Sequence, residues 1–261
     1  ESRRAIIKFI IIINIIKIIT AIKIIPQTLL NIFFPPFCIG CGKEGKYICE
    51  KCNVFAGEAA LICPASSAGR PECGESSFTG ETHARCKTRY GLDGLTNIWE
   101  YEGVVKKVLG TIKYKGITHT IGELVKNSFQ IMAADQVRFG AFLKFLLTSK
   151  NHNNYNDYKN YNIYIAYVPM FLAKEKERGF NQAELIAKEM EKVVNIEAAQ
   201  TLIKTKNTPS QTNLTKEQRL ENVKNSYKIY KDYNDYKDYR VVLVDDIWTT
   251  GATMKECCKV L

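Results

Sequence analysis

At 261 residues the chain can hold one ordinary α/β domain beside a smaller module, or two small domains. Its 46% hydrophobic and 25% charged residues are those of a globular protein and exclude a wholly disordered one. A net charge of +10, from 37 basic and 27 acidic side chains, favours polyanionic partners, nucleic acid and phosphorylated metabolites alike, without choosing between them.

Residues 1–28 form an isoleucine-rich extension, with some twenty apolar-leaning residues after Arg3 and Arg4. Lys8, Lys17 and Lys23 interrupt it, and each costs roughly 2.5–3.5 kcal/mol at a bilayer centre. The stretch therefore reads as a helical or disordered extension. An anchor over residues 6–25, holding an otherwise cytoplasmic chain at the inner face of a membrane, is the less favoured alternative.

Residues 29–90 read as a small metal-binding module. Cys38-Ile-Gly-Cys41 and Cys49-Glu-Lys-Cys52 are two C-x2-C pairs, and each can fold as a tight turn aiming two thiolates at one point. Gly40 and Gly42 are expected to supply the unusual backbone angles of such turns. The spacing predicts a structural zinc site. Downstream, Cys63, Cys73, His83 and Cys86 are a candidate second zinc set, although no single knuckle explains the ten-residue step from Cys63 to Cys73. Clustered thiolates suit a reducing cytosol. So short a stretch with few large apolar side chains needs metal to fold, which makes it a scaffold or partner surface rather than a catalyst.

Residues 91–261 alternate between strand and helix signals. "GLTNIWEYEGVVKKVLGTIKYKG" (94–116) reads as a strand and then an amphipathic helix, with Val104, Val105, Val108, Leu109 and Ile112 on one face. A second helical pattern runs over 121–147. The polar run 148–162 reads as a loop, and "IYIAYVPM" (163–170) as a buried strand stopped by Pro169. Residues 181–195 read as a helix with Ala183, Ile186, Ala187, Met190 and Val194 in one stripe. After a polar run over 230–239, Val241 to Val244 form a last strand leading to a small-residue loop and a helix. This order implies a parallel sheet flanked by helices.

Ligands of such sheets sit beyond the carboxyl ends of the strands, where Asp245 and Asp246 stand. Thr249, Thr250, Gly251, Ala252 and Thr253 follow, a loop whose N–H groups and hydroxyls can cradle a phosphate at a helix N-terminus. Two acids beside a phosphate cradle make sense if the ligand also carries hydroxyls or a cation. A ribose 5-phosphate with Mg²⁺ easing the charge fits both. The blander alternatives are ordinary metal ligands or a helix cap.

"VVLVDDIWTTGAT" resembles the phosphoribosyl pyrophosphate (PRPP) motif of type I phosphoribosyltransferases. Together with the cysteine module it resembles the ComF family of competence-associated proteins. So do "NIFFPPFCIGCGKEG", "VPMFLAKEKERGFNQAELIAK" and "TPSQTNLTKEQRLENVKNSYKI", and the likeness covers residues 29–261.

The resemblance implies a type I phosphoribosyltransferase-like sheet over 91–261 behind a zinc module. It also implies PRPP with Mg²⁺ as ligand, and a part in DNA uptake beside other competence proteins. Asp245 and Asp246 would hold the ribose. The 249–253 loop, Val168, Pro169, Arg178 and Lys113 would bind the phosphates. Gln211 and Arg219 would lie over the site. Read from the residues alone, Lys174, Lys176 and Arg178 form either a mobile basic lid or a solvated charge run. Transfer would displace pyrophosphate from C1, but no residue stands out as selecting or activating an acceptor. Three departures qualify the match. Met170 and Phe171 replace a second Val-Pro, His83 replaces a cysteine, and the chain ends eight residues after Thr253, as if truncated. The alternative is a non-catalytic module that binds single-stranded DNA through lysines and interleaved tyrosines.

Overall fold

The structure is a computed structural model. It describes residues 35–54, 56–65, 73, 75–88, 91–116, 118, 120–148, 162–209, 214–230 and 239–261. The isoleucine-rich extension, Gln211 and most of both polar runs lie outside these. Among the described residues no helix is long and apolar enough to cross a membrane. The chain divides into two compact units, residues 1–53 and 54–261.

In the first unit, Phe37 and Glu44 form an antiparallel bridge across a turn closed by Gly42 N–H donating to the Cys38 carbonyl at 2.7 Å. Gly42 takes the left-handed angle expected of it (φ 76°), whereas Gly40 does not. Helix α1 (Glu50–Val54) starts directly after Cys49.

The second unit opens with extended segments joined by single bridges, Glu58 to Trp99, Ile62 to Ser76 and Glu81 to Gly94. The regular strand expected after Gly94 does not form. Its backbone bonds are split between partners, Leu95 N–H going to Gly80 and Glu100 N–H to Gly57, so no continuous ladder builds. Helices α2 (Gly103–Lys115), α3 (Thr120–Ala134) and α4 (Gln136–Thr148) follow. The predicted stripe on α2 forms, with Val104, Val105, Val108 and Ile112 buried and Leu109 half-buried. The single pattern over 121–147 is two helices. Asp135 Oδ1 accepts the Arg138 N–H at 3.1 Å and so caps a fresh start.

The remaining elements are β1 (Asn162–Tyr167), α5 (Leu172–Arg178), α6 (Gln182–Val194), β2 (Ala198–Ala199), β3 (Leu202–Lys204), α7 (Lys216–Val223), β4 (Tyr227–Ile229), β5 (Tyr239–Val244) and α8 (Ala252–Val260). The sheet is parallel, in the order β2-β1-β5, with Tyr164 opposite Val241 and Tyr167 opposite Val244. Strands β3 and β4 pair antiparallel beside it, and Phe171 bridges to Lys204.

Helix α6 keeps its predicted ends. Asn181 caps the first turn and Asn195 closes the last in a left-handed conformation (φ 54°). Its stripe buries Ala183 and Ala187 against Ile165, Val168, Leu202 and Val244. Continuous burial across β1 is what lets a run of β-branched and aromatic residues serve as a central parallel strand.

Candidate functional site

The site begins where β1 and β5 end together. Val168 N–H donates to the Val244 carbonyl at 2.9 Å, which sets Pro169 beside Asp245. Asn181, only 3% exposed, fixes this corner from a third element. Its Nδ2 donates to the Val168 carbonyl at 3.0 Å while its Oδ1 accepts the Ala183 N–H at 3.1 Å. Capping its helix is therefore half of what Asn181 does.

From this corner the chain turns through Asp245 and Asp246, with Asp246 N–H donating to Asp245 Oδ1 at 2.9 Å. Part of Asp245 faces open space, but its carboxyl is closely surrounded by protein. Burial, and then the charge of Asp246, push it well above the usual carboxylate range.

The loop that follows needs glycine at Gly251. Its φ is +70°, and a Cβ there would lie 2.3 Å from the Trp248 ring. Gly251 is the N-cap of α8, whose first-turn N–H groups point out of the helix. Thr250 Oγ1 accepts the Ala252 N–H at 3.4 Å, and Lys255 Nζ donates to the Thr250 carbonyl at 3.1 Å while lying over the Trp248 ring. Thr249 is exposed and Thr253 half-buried. The result is a short helix N-terminus flanked by a lysine, next to two acids.

Other predicted residues sit differently. Arg178 Nη1 donates to Met170 Sδ at 3.5 Å and to Gln182 Oε1 at 3.2 Å, folding back over the turn after β1. Lys174 Nζ is tied to the Thr208 carbonyl at 2.6 Å, and Lys176 is exposed, so the three do not form one lid in this conformation. Arg219 Nε donates to the Leu214 carbonyl at 3.0 Å, within its own segment. Lys113 lies at the end of α2 with its amine over the Tyr114 ring at 5.3 Å.

Two lysines escaped the sequence reading. Lys255 was legible in principle, one helical turn after Gly251. Lys204 was not, because it ends a three-residue strand in a polar stretch with no period. Its half-buried amine lies 5.4 Å from the Tyr227 ring centre and feels Asp245.

The two cysteine sets each converge. The ligand atoms of Cys38, Cys41, Cys49 and Cys52 lie within 4.8 Å of one another, as do those of Cys63, Cys73, His83 and Cys86. Four thiolates tetrahedrally placed at zinc–sulfur distances stand about 3.8 Å apart, and Cys41 and Cys49 Sγ are 3.6 Å apart. In the first set, burial pushes the Cys38 thiol up. N–H groups of Cys49, Cys41 and Gly40 outweigh that and bring it down to about 6, while Cys52 is pushed up to about 12 by burial and then by Cys41. Thiols crowded this way cannot all ionise without a cation between them, so the donor set fits a metal.

The second set resolves the ten-residue step. Cys63 N–H donates to the Glu75 carbonyl and Cys73 N–H to the Ala65 carbonyl, so the two cysteines stand diagonally on one face of two antiparallel arms. His83 Nδ1 lies 3.4 Å from Cys73 Sγ, and the turn at 84–86 returns Cys86 to them.

A cavity of about 1640 Å³ runs beside β5, lined by Trp99, Val105, Phe142, Ile186 and Val242. It reaches Asp245 and Asp246 but not residues 249–253.

Residues 176–261 match the family described as phosphoribosyl transferase domain. Over 95 residues the chain is 34% identical to competence protein F of Haemophilus influenzae, a match covering 36% of this chain and 42% of that one. The chain thus spans about two fifths of the length of that curated relative. No solved structure matches. Residues 176–261 thus match a phosphoribosyl transferase domain, and the chain is similar to competence protein F over part of its length.

Proposed function

We propose that the carboxyl edge of the β1–β5 pair binds PRPP. The observation that carries this is the juxtaposition of the Gly251 helix N-terminus with Asp245 and Asp246. A 5-phosphate would take the N–H groups and hydroxyls of residues 249–253. The ribose hydroxyls would donate to the two carboxylates, and the diphosphate would point towards Val168, Pro169 and Arg178. Mg²⁺ travels with the ligand on the diphosphate and neutralises charge as pyrophosphate leaves C1. Lys113 stays outside this reading, given its place over Tyr114. Both cysteine sets would hold zinc as folding supports. A role in DNA uptake is supported by the name of the curated relative.

The reading is tested by calorimetric titration of PRPP with Mg²⁺ into the purified chain, beside Asp245→Asn/Asp246→Asn. Saturable binding lost in the double variant supports it, and equal binding by both proteins rejects it.

One observation favours the second reading, single-stranded DNA. Tyr101 and Tyr114 are 46% and 79% exposed, and the amines of Lys106 and Lys113 lie 6.0 and 5.3 Å from their ring centres. Stacking rings with cations alongside suit bases and phosphates. Binding of an oligonucleotide that weakens steeply with salt and is lost in Tyr101→Ala/Tyr114→Ala would support it. Binding that persists in that variant would not.

A further inference from the structure

Arg178 ends α5 and lies half-buried over the turn after β1, where a charged side chain normally has a counter-charge. Among the described residues it makes no salt bridge within 4 Å. Its two hydrogen bonds both leave from Nη1, to Met170 Sδ at 3.5 Å and to Gln182 Oε1 at 3.2 Å. Among the described residues nothing accepts from Nε or Nη2, the edge with which a guanidinium grips a phosphate through two parallel bonds.

Gln182 holds this arrangement. Its side chain belongs to a residue only 4% exposed, and its Nε2 donates to the Leu109 carbonyl on α2 at 3.4 Å. A guanidinium only donates and a carbonyl only accepts, so a single orientation of the amide satisfies both. The thioether of Met170 is a weak acceptor, which leaves the amide oxygen as the main tether. Arg178 and Gln182 are four apart but do not share a helix. Gly179, left-handed at φ 86°, closes α5 and Asn181 caps α6, so the turn between the helices sets the two side chains against each other.

We propose that Gln182 is a positioning residue for Arg178, its amide holding the Nη1 corner so that the Nε–Nη2 edge is presented to a diphosphate at the β1 turn. This rests on the reading that the turn receives the diphosphate of PRPP. An arginine tethered at one corner is ordered before the ligand arrives, so less conformational freedom is lost on binding. A glutamine that only tied α6 to α2 would exert no influence through Arg178.

The test is a double-variant cycle on the intact chain, with Gln182→Met, Arg178→Ala and the two combined. Each protein is titrated with pyrophosphate and Mg²⁺, and separately with ribose 5-phosphate. Gln182→Met should weaken pyrophosphate roughly threefold to tenfold, the cost of ordering one long side chain on binding, and leave ribose 5-phosphate unchanged. In the Arg178→Ala background it should cause no further loss. Without ligand, ¹⁵N NMR should show the Arg178 guanidinium held in the intact chain and freely rotating in Gln182→Met. Absent pyrophosphate binding by the intact chain, unchanged affinity in Gln182→Met, or the same loss in both backgrounds would overturn the proposal. So would an equal loss of both probes, or a guanidinium equally mobile in both proteins. If pyrophosphate binding followed the cycle in a chain that bound neither ribose 5-phosphate nor PRPP, the tether would stand and the phosphoribosyl reading would fall.

Discussion

Val168 and Val244 are joined by one backbone hydrogen bond of 2.9 Å, and that bond brings two distant parts of the sequence to one corner. The turn at Pro169 and the acids at Asp245 and Asp246 become neighbours only because β1 and β5 pair in parallel and in this register. The 249–253 loop and the Asn181 cap are then built outwards from the corner.

Gly251 should tolerate no side chain. Gly251→Ala forces an L-residue into a left-handed conformation, which costs roughly 1–2 kcal/mol, and drives its Cβ into Trp248. We expect a lower thermal midpoint and loss of inorganic phosphate binding. Restoration of both by the added change Trp248→Ala would point to the ring contact, and failure to restore either would point to the backbone angle.

Asn181 should matter twice. Asn181→Ser keeps an N-cap acceptor but is too short to reach the Val168 carbonyl, and a stranded buried acceptor costs about 1–3 kcal/mol. Asn181→Ala loses the cap as well, roughly another 1 kcal/mol. Denaturant unfolding should rank wild type above Asn181→Ser above Asn181→Ala. Equal stability of the two variants would show that the cap contributes nothing.

Native mass spectrometry should find two zinc ions on the chain, one for each cysteine set. Cys73→Ser/His83→Ala should leave one, and Cys38→Ser/Cys41→Ser should leave the other. A single zinc in the unmodified chain would assign one set a different role.

Asp245 gives stability a pH signature. Its carboxyl is raised well above 3.8 in the folded chain, first by burial and then by Asp246, so the folded state holds the proton where the unfolded state has lost it. Its contribution is therefore fully present below the ordinary carboxylate value. It is lost as pH rises towards the folded-state value. Asp245→Asn should flatten that decline and be more stable than wild type at neutral pH, while losing ligand. An unaltered pH profile in the variant would place the cause elsewhere.

Much of this was legible because the chemistry sits in short contiguous runs. The C-x2-C pairs, the Asp-Asp-loop stretch and the α6 stripe each carry their geometry locally. What was not legible depends on pairing between distant segments. The arms that join Cys63 to Cys73 meet across residues far apart in sequence, and three-residue strands such as β3 have no period to read, so Lys204 stayed hidden. The split at Asp135 was missed because the apolar pattern continues through it, from Met132 to Phe139, and only the cap marks the break. Lys113 was carried over from a family motif, and its place over Tyr114 could not be seen without the fold.

The most direct test is a crystal structure of the chain with PRPP and Mg²⁺. The account predicts the 5-phosphate on the N–H groups of Gly251, Ala252 and Thr253, and the ribose hydroxyls on Asp245 and Asp246. A ligand lodged elsewhere, for instance in the cavity beside β5, or an unchanged loop at saturating ligand, would contradict it.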